Sequence, residues 1–92
     1  MHIVDSYSDI QTLLGKANRK KIAPNTWAER HGENMDIVLY NTVILSFLPN
    51  GCIDYYRGKE HATKLTLQRM NQFTTTNIQF KSTHQNIYMV KI

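Results

Sequence analysis

The chain carries four histidines and one cysteine, the side chains that most often bind metal ions or act as bases and nucleophiles. The histidines are spread over nearly the whole chain, whereas a zinc site draws on ligands in closely spaced pairs. The single cysteine has no second thiol beside it. We therefore expect no metal site and no cofactor. The histidines are His2, His31, His61 and His84, and the cysteine is Cys52.

Two narrower alternatives stay open for these residues. His31 and His84 both fall in predicted hairpin turns, so one end of a sheet would bring them together as a two-histidine metal site. Cys52 and a histidine would form a nucleophile and base. However, a cysteine that opens a strand after a turn is more often a small buried thiol.

Carboxylates are the remaining candidates for general acid or base catalysis, which needs two of them close together. Asp5 and Asp9 share one face of a predicted helix, but acidic residues at a helix start are better explained by the helix dipole. The chain has no phosphate-binding glycine loop and no nucleophile elbow. We therefore predict that the protein is not an enzyme. The other carboxylates weighed for this role are Glu29, Asp54 and Glu60.

Basic residues give the chain a net charge of +4. This mild excess permits contact with nucleic acid without requiring it. A first cluster lies near Trp27 and Tyr7, which would supply aromatic rings for stacking on bases. A second strip lies at the predicted second helix. The residues of this alternative, a nucleic-acid-binding surface, are Lys16, Arg19, Lys20, Lys21, Lys64 and Arg69.

Two adjacent tyrosines suggest a different surface. Neighbouring residues on a strand point to opposite faces of a sheet, so one of these tyrosines is expected to be exposed. Exposed aromatic rings beside an arginine are typical of protein-binding patches. The residues predicted to bind a protein partner are Tyr55, Tyr56, Arg57, Lys59 and His61.

The pattern of apolar residues predicts the elements that carry these side chains. An apolar stripe from Ile10 to Ala17 favours a helix over Asp5–Ala17, and Thr63 or Thr66 begins a second helix that runs to Phe73. We predict an α+β fold in one domain, 1–92, with a mostly antiparallel sheet of about six strands and two helices on one face, in the order α-β-β-β-β-α-β-β. The predicted strands cover 26–30, 36–40, 42–48, 52–56, 77–81 and 87–92.

Two turn residues and one strand edge complete this prediction. Asn41 is expected to be a kink or bulge, whereas Pro49-Asn50-Gly51 is expected to be a tight turn. The strand Ile87–Ile92 has few features that guard a sheet edge, so it would add to a partner's sheet or form a homodimer.

The surroundings of the protein are predicted from its apolar runs and its cysteine. No run of apolar residues is long enough to span a bilayer, and the first residues lack the pattern of a signal peptide. A lone cysteine is typical of a reducing compartment. We therefore expect a cytoplasmic protein without a membrane partner.

A group of motifs resembles a family of small bacteriophage and prophage proteins. They are Asn25-Thr26-Trp27, Leu39-Tyr40-Asn41-Thr42-Val43, the Pro49-Asn50-Gly51 turn, and a threonine-capped helix with Arg69, Asn71 and Phe73. The resemblance covers about Lys20 to Val90. The chain departs from the family at Lys59-Glu60-His61, where a glycine-glycine-aromatic loop is usual, and at Leu65, where threonine is usual. The departure at the loop puts any activity of that loop in doubt for this chain.

The resemblance implies a phage context, with the host-cell cytoplasm as the place of action, and implies no reaction. We therefore expect a non-enzymatic phage accessory protein that binds a host or phage protein. One such protein would be an inhibitor of host defence, such as an anti-CRISPR-type protein. Nucleic-acid binding through the basic cluster is the alternative.

Overall fold

The computed structural model describes residues 7–58, 63–74, 78–83 and 86–92. The fold is α+β, with an antiparallel five-stranded sheet in the order β1-β2-β3-β4-β5 and a separate two-stranded sheet of β6 and β7. No helix in these ranges is long and apolar enough to cross a membrane. The elements are α1 (Tyr7–Leu14), β1 (Arg19–Ala23), β2 (Thr26–His31), β3 (Asn34–Leu39), β4 (Thr42–Phe47), β5 (Ile53–Tyr55), α2 (Lys64–Gln72), β6 (Ile78–Ser82) and β7 (Ile87–Lys91).

The predicted α+β class is confirmed, and the structure adds one strand, β1, to the predicted order. Its basic residues have little intrinsic preference for strands, so local patterns do not reveal it. The strand forms because it pairs with β2, where Arg19 lies opposite Glu29 and Lys21 lies opposite Trp27. Such cross-strand pairs stabilise a sheet. The last two strands, predicted as part of one sheet, form a sheet of their own.

Helix α1 ends at Leu14 and not at the predicted Ala17. Gly15 follows with a φ of 58°, a conformation that ends helices and suits glycine. Arg30 donates from Nη2 to the carbonyl oxygens of Gly15 at 3.1 Å and Ala17 at 3.4 Å. A cation from β2 thus satisfies the carbonyl groups at this end of α1, where the helix dipole is negative.

The hydrophobic core lies on one face of the five-stranded sheet. Both helices and the β6–β7 hairpin contribute to it, so all of them pack against that face. Residues of β2, β3, β4 and β5 that point to the core alternate with residues that point away. The buried core residues include Ile10, Leu14, Ala28, Met35, Ile37, Leu39, Leu45, Phe47, Met70, Phe73, Phe80 and Ile87.

Tight turns join the central strands. The predicted Pro49-Asn50-Gly51 turn is confirmed by a hydrogen bond from Gly51 N to Leu48 O at 3.0 Å. Asn41, predicted to be a kink, instead lies with Tyr40 in the turn between β3 and β4. The irregularity lies further along β4, where Ile44 is an extra residue between the pairs Ile37–Leu45 and Val38–Val43. Such a bulge bends the strand and increases its twist.

Helix α2 is fixed at its start and along its length. Thr63 is the N-cap, and its Oγ1 accepts a hydrogen bond from Thr66 N at 3.2 Å, as the sequence predicts. Later in the helix, the Asn71 amide bonds to both backbone groups of Phe80 on β6, donating to the oxygen at 3.1 Å and accepting from the nitrogen at 2.7 Å. One side chain therefore joins α2 to the second sheet.

Replacing this amide is expected to destabilise the protein. Asn71→Ala leaves the backbone groups of Phe80, a residue only 2% exposed, without their partner. An unsatisfied buried polar group costs about 1–3 kcal/mol, so we expect the free energy of unfolding in urea to fall by about that amount. Gln68→Ala, an exposed amide on the same helix, is the control and should change stability by less than about 0.5 kcal/mol. Equal effects would show that the Asn71 bridge contributes no stability.

Candidate protein-binding face

The second face of the five-stranded sheet points away from the core. We call it the outer face. The helices and the β6–β7 hairpin pack on the other side, and no element of the described ranges lies over this one. Strand alternation and register assign its residues, which are Arg19, Lys21, Trp27, Glu29, His31, Asp36, Val38, Val43, Ser46 and Asp54.

A row of polar side chains crosses all five strands of the outer face. Arg19, Glu29, Asp36, Ser46 and Asp54 are successive register partners from β1 to β5. Arg19 Nε lies 2.8 Å from Glu29 Oε2, and Ser46 Oγ donates to Asp36 Oδ1 at 2.6 Å. These two contacts between neighbouring strands hold Arg19, Glu29, Asp36 and Ser46 in place. The row therefore presents an ordered pattern of both charges.

Asp36 is the most buried charge in this row, with a side chain only 7% exposed. The Nδ1 atom of His31 is hydrogen-bonded to Asp36 Oδ2, so His31 and Ser46 each occupy one oxygen of the carboxylate. The other ring nitrogen of His31 lies 3.5 Å from Glu29 Oε1. A buried carboxylate is stable when its oxygens accept hydrogen bonds in this way.

The same contacts change the acidity of the histidine. The pKa of His31 is raised above 6.5, first by its hydrogen bond to Asp36, then by the negative charge of Asp36 and, to a smaller extent, by that of Glu29. Slight burial opposes the shift. The imidazolium form is favoured because both ring nitrogens face carboxylates.

Serine, aspartate and histidine lie together here, but in an order that does not suit nucleophilic catalysis. In a catalytic triad the histidine contacts the serine, and the carboxylate orients the histidine. Here Asp36 lies between Ser46 and His31 and bonds to both. His31 is therefore not placed to take the serine proton.

An aromatic ring and an aliphatic side chain complete the outer face. The guanidinium group of Arg19 stacks over the ring of Trp27, 3.7 Å from its centroid, so the arginine joins an ion pair and a cation–π contact. Val43 on β4, two strands from Trp27 in the same cross-strand row, is 41% exposed. Tryptophan and arginine are the residues that most often dominate protein interfaces.

Three of the predicted protein-binding residues, Tyr55, Tyr56 and Arg57, lie at the β5 edge of the sheet. The ring of Tyr55 contacts Phe80, with ring centroids 5.1 Å apart. The guanidinium of Arg57 lies over the same Tyr55 ring, 4.1 Å from its centroid. Tyr56 is half-buried, and its N–H donates to Ile44 O at 3.0 Å. Arg57 also pairs with Asp54 at 3.0 Å. Lys59 and His61 lie outside the described residues.

The predicted nucleic-acid-binding residues do not form one surface. Arg19 and Lys21 point to the outer face, whereas Lys20 points to the other side of β1, where its Nζ lies 3.5 Å from Leu13 O. Arg69 is half-buried and donates to Thr26 Oγ1 at 3.0 Å. Lys16 and Lys64 are exposed. The set is therefore divided among three places in the fold.

Of the histidines and the cysteine weighed for metal or nucleophile chemistry, the structure describes His31 and Cys52. Within the described ranges, no three histidine, cysteine or carboxylate side chains form a group suited to a metal ion. Cys52 is exposed beside the Pro49-Asn50-Gly51 turn, so the prediction of a buried thiol is wrong. It precedes β5 and does not open it, because its N–H bonds to Asn50 Oδ1 at 2.9 Å. His2 and His84 lie outside the described residues.

Two cavities accompany the sheet. One of about 120 Å³ is lined by residues of β4 and β5, including Val43, Ser46 and Tyr56. A second, of about 200 Å³, lies between the β3–β4 turn and the start of α2, with Tyr40 and Leu65 in its wall. Both are smaller than the roughly 300–1,000 Å³ of pockets that enclose a drug-sized molecule. The first cavity lies on the outer face, since Val43, Ser46 and Asp54 line it. The outer face is thus the better candidate site.

Sequence reasoning missed the pairing of Glu29 with Asp36 across two strands. It compared carboxylates along single strands and helices, whereas these two lie opposite one another on neighbouring strands. The signal was present in the turn between β2 and β3. A turn centred on Gly32 and Glu33 fixes which residues of the two strands are partners and hence places Glu29 beside Asp36.

No protein-family model, curated protein or solved structure matched this chain. The resemblance to small phage proteins therefore stays a prediction from the motifs.

Stability is expected to fall as the pH rises through the titration of His31. A raised pKa in the folded state means that the contribution of the imidazolium is complete below 6.5 and is lost as the pH passes the folded pKa. We expect the urea midpoint of the protein to decrease between about pH 6 and pH 9 more than that of His31→Gln, which stays uncharged. The NMR titration of the His31 ring should have its midpoint above 6.5. Parallel pH profiles for the two proteins would contradict the assignment of this effect to His31.

Proposed function

We propose that the protein is a non-enzymatic phage accessory protein that binds a host or phage protein through the outer face. The observation that carries the proposal is the side of the five-stranded sheet that the described elements leave uncovered. On it Arg19 is stacked over Trp27, and Val43, two strands away in the same cross-strand row, is exposed. A sheet of this size normally buries one face and leaves the other in water, where aromatic and arginine side chains serve as anchors for a partner. The phage context comes from the resemblance of the motifs.

The charge pattern of the outer face favours a protein over a nucleic acid. Arg19 is neutralised by Glu29, and Asp36 and Asp54 add further carboxylates to the same row. These carboxylates would repel a phosphate backbone. A protein surface carries both charges and can therefore complement a mixed row. The phage resemblance suggests one kind of partner. It is a host defence protein in the cytoplasm of the host cell, which the outer face would bind and inhibit.

The proposal moves the binding surface away from the predicted Tyr55, Tyr56 and Arg57. Tyr55 packs between Phe80 and Arg57, so its ring already has partners within the protein. The assignment of these residues to partner binding stays a prediction. Two of these residues nevertheless border the outer face. Tyr56 lines a cavity together with Val43, Ser46 and Asp54, and Arg57 pairs with Asp54.

Changing exposed residues of the outer face is expected to weaken binding of the partner protein. Lys21→Glu combined with Val43→Glu alters the charge and the apolar contact of the face at two exposed positions. We expect affinity for the captured partner to fall at least about tenfold, measured by biolayer interferometry with the purified partner. The control, Lys81→Glu with Gln68→Glu, makes the same change of charge at exposed positions away from this face.

Equal affinities for the two double variants would exclude the outer face as the binding surface. The nucleic-acid alternative is separated by titrating generic DNA and RNA against the protein at increasing salt. Affinity that falls steeply with salt, and is lost when Lys16, Arg19, Lys20 and Lys21 are replaced together, would favour that alternative. We expect no such binding at low salt.

A further inference from the structure

Four strands lie at the edges of the two sheets, and the structure closes or guards three of them. Unpaired backbone groups on an edge strand can pair with another chain, so native proteins protect such edges. On β5, Tyr55 N donates to Asp54 Oδ1 at 3.0 Å, and Tyr55 O accepts from Arg57 Nη1 at 3.4 Å. The ion pair of Asp54 and Arg57 thus takes the place of a neighbouring strand.

The edges of β6 and β1 are protected in other ways. The Asn71 amide occupies the N–H and the carbonyl of Phe80, the outward groups in the middle of β6. On β1, the edge is lined by three consecutive cations, and the pairing with β2 shifts register before Ala23. Lysine side chains and bulges both oppose pairing with another strand. The three cations are Arg19, Lys20 and Lys21.

Strand β7 differs from these three. It pairs with β6 on one side, and no described strand pairs with it on the other. Ile87 N donates away from β6, to Arg57 O at 3.3 Å. Backbone groups alternate in direction along an antiparallel strand, so those of Met89 and Lys91 point the same way as those of Ile87. Among the described residues, the edge of β7 therefore has no backbone partner at Met89 and Lys91, beyond the contact of Ile87 with Arg57.

The side chains of β7 favour association at this same edge. Tyr88, Val90 and Ile92 share the face of the hairpin that points away from Ile87 and Met89. Tyr88 is 38% and Ile92 is 79% exposed, and both are among the most exposed large apolar residues of the described chain. Gln79 and Lys81, their counterparts on β6, are polar and exposed. The apolar residues are thus concentrated on the strand whose edge is open.

We propose that β7 pairs with β7 of a second copy of this chain, antiparallel and centred on Val90. In this register the Met89 backbone of one copy exchanges hydrogen bonds with Lys91 of the other, and Ile87 keeps its bond to Arg57. Val90 lies opposite Val90 of the other copy, and Tyr88 lies opposite Ile92. The exposed apolar residues therefore cover one another on a single face.

The charge of Lys91 and the existing bond of Ile87 favour this register between two copies of the chain. A shift of one residue toward the end of the chain would place Lys91 opposite a second Lys91, and like charges in direct opposition destabilise a strand pair. A shift the other way would require the N–H of Ile87, which is already bonded to Arg57. With Val90 at the centre, each Lys91 lies opposite a methionine. The self-complementary edge thus fits a second copy of the same strand.

The area of the contact sets the expected strength. Five residues on each side bury less than the roughly 1,200 Å² of a stable interface, so the dimer should be weak. We expect sedimentation velocity to show half-dissociation between about 10 μM and 1 mM. Val90→Asp places two carboxylates at the symmetry axis and should weaken the dimer at least about tenfold. Gln79→Asp adds the same charge on the adjacent strand, and we expect it to leave the dimer intact.

Disulfide formation tests the register itself, in a chain where Cys52 is replaced by serine. Directly opposed residues of this kind have Cα atoms about 4.5 Å apart, within reach of a disulfide. Val90→Cys should therefore form an intermolecular disulfide on mild oxidation. Tyr88→Cys should not, because the two copies of residue 88 would lie about 14 Å apart along the strand.

Three results would overturn the proposal. The first is a protein that stays monomeric up to about 1 mM, even if its β7 edge binds a strand of some other protein. The second is cross-linking of Tyr88→Cys as efficient as that of Val90→Cys. The third is an equal loss of dimer for Gln79→Asp and Val90→Asp. None of these results depends on whether the outer face binds a partner.

Discussion

The pairing of β2 with β3 is the constraint on which the other features of the protein depend. The turn between them is short, and Gly32 adopts a φ of 59° there, a conformation that glycine reaches without steric cost. This turn places Ala28 beside Ile37 in the core and Glu29 beside Asp36 on the outer face. A slip of one residue would exchange the two faces of a strand. The core and the polar row are therefore set by the same few hydrogen bonds.

Side chains in this fold repeatedly take the place of backbone partners. Asn71 bonds to β6 as a neighbouring strand would, and Asp54 with Arg57 does the same for β5. Arg30 serves the carbonyl groups at the end of α1. A small domain has few elements with which to cover its edges and helix ends, and unsatisfied backbone groups are costly. Its polar residues are thus part of what stabilises the fold, in addition to being exposed to solvent.

Much of the fold is predictable because short stretches of adjacent residues determine its caps, turns and strands. The Thr63 cap, the Pro49-Asn50-Gly51 turn and the alternation of Ile78 and Phe80 with polar residues each depend on a few neighbouring positions. Strand β1 was not predictable in this way, since its basic residues become a strand only through pairing with β2. The predicted end of α1 lies too late because the apolar stripe continues to Ala17, past Gly15, whose left-handed conformation ends the helix.

The candidate site was harder to predict than the fold. Glu29, His31, Asp36 and Ser46 come from three strands, and their contacts depend on register and not on spacing within one element. Arg57 was recognised as exposed and basic, but its bonds to Asp54 and to the Tyr55 carbonyl appear only once β5 is placed at an edge.

The stacked pair on the outer face also gives the protein a built-in optical signal. The chain has a single tryptophan, and its ring lies directly beneath the guanidinium of Arg19. The emission of an indole ring responds to nearby charge and to water. Any molecule that binds to the outer face would change both the charge and the water around Trp27. The native chain, without a dye or a label, would thus report occupancy of the outer face through its own fluorescence.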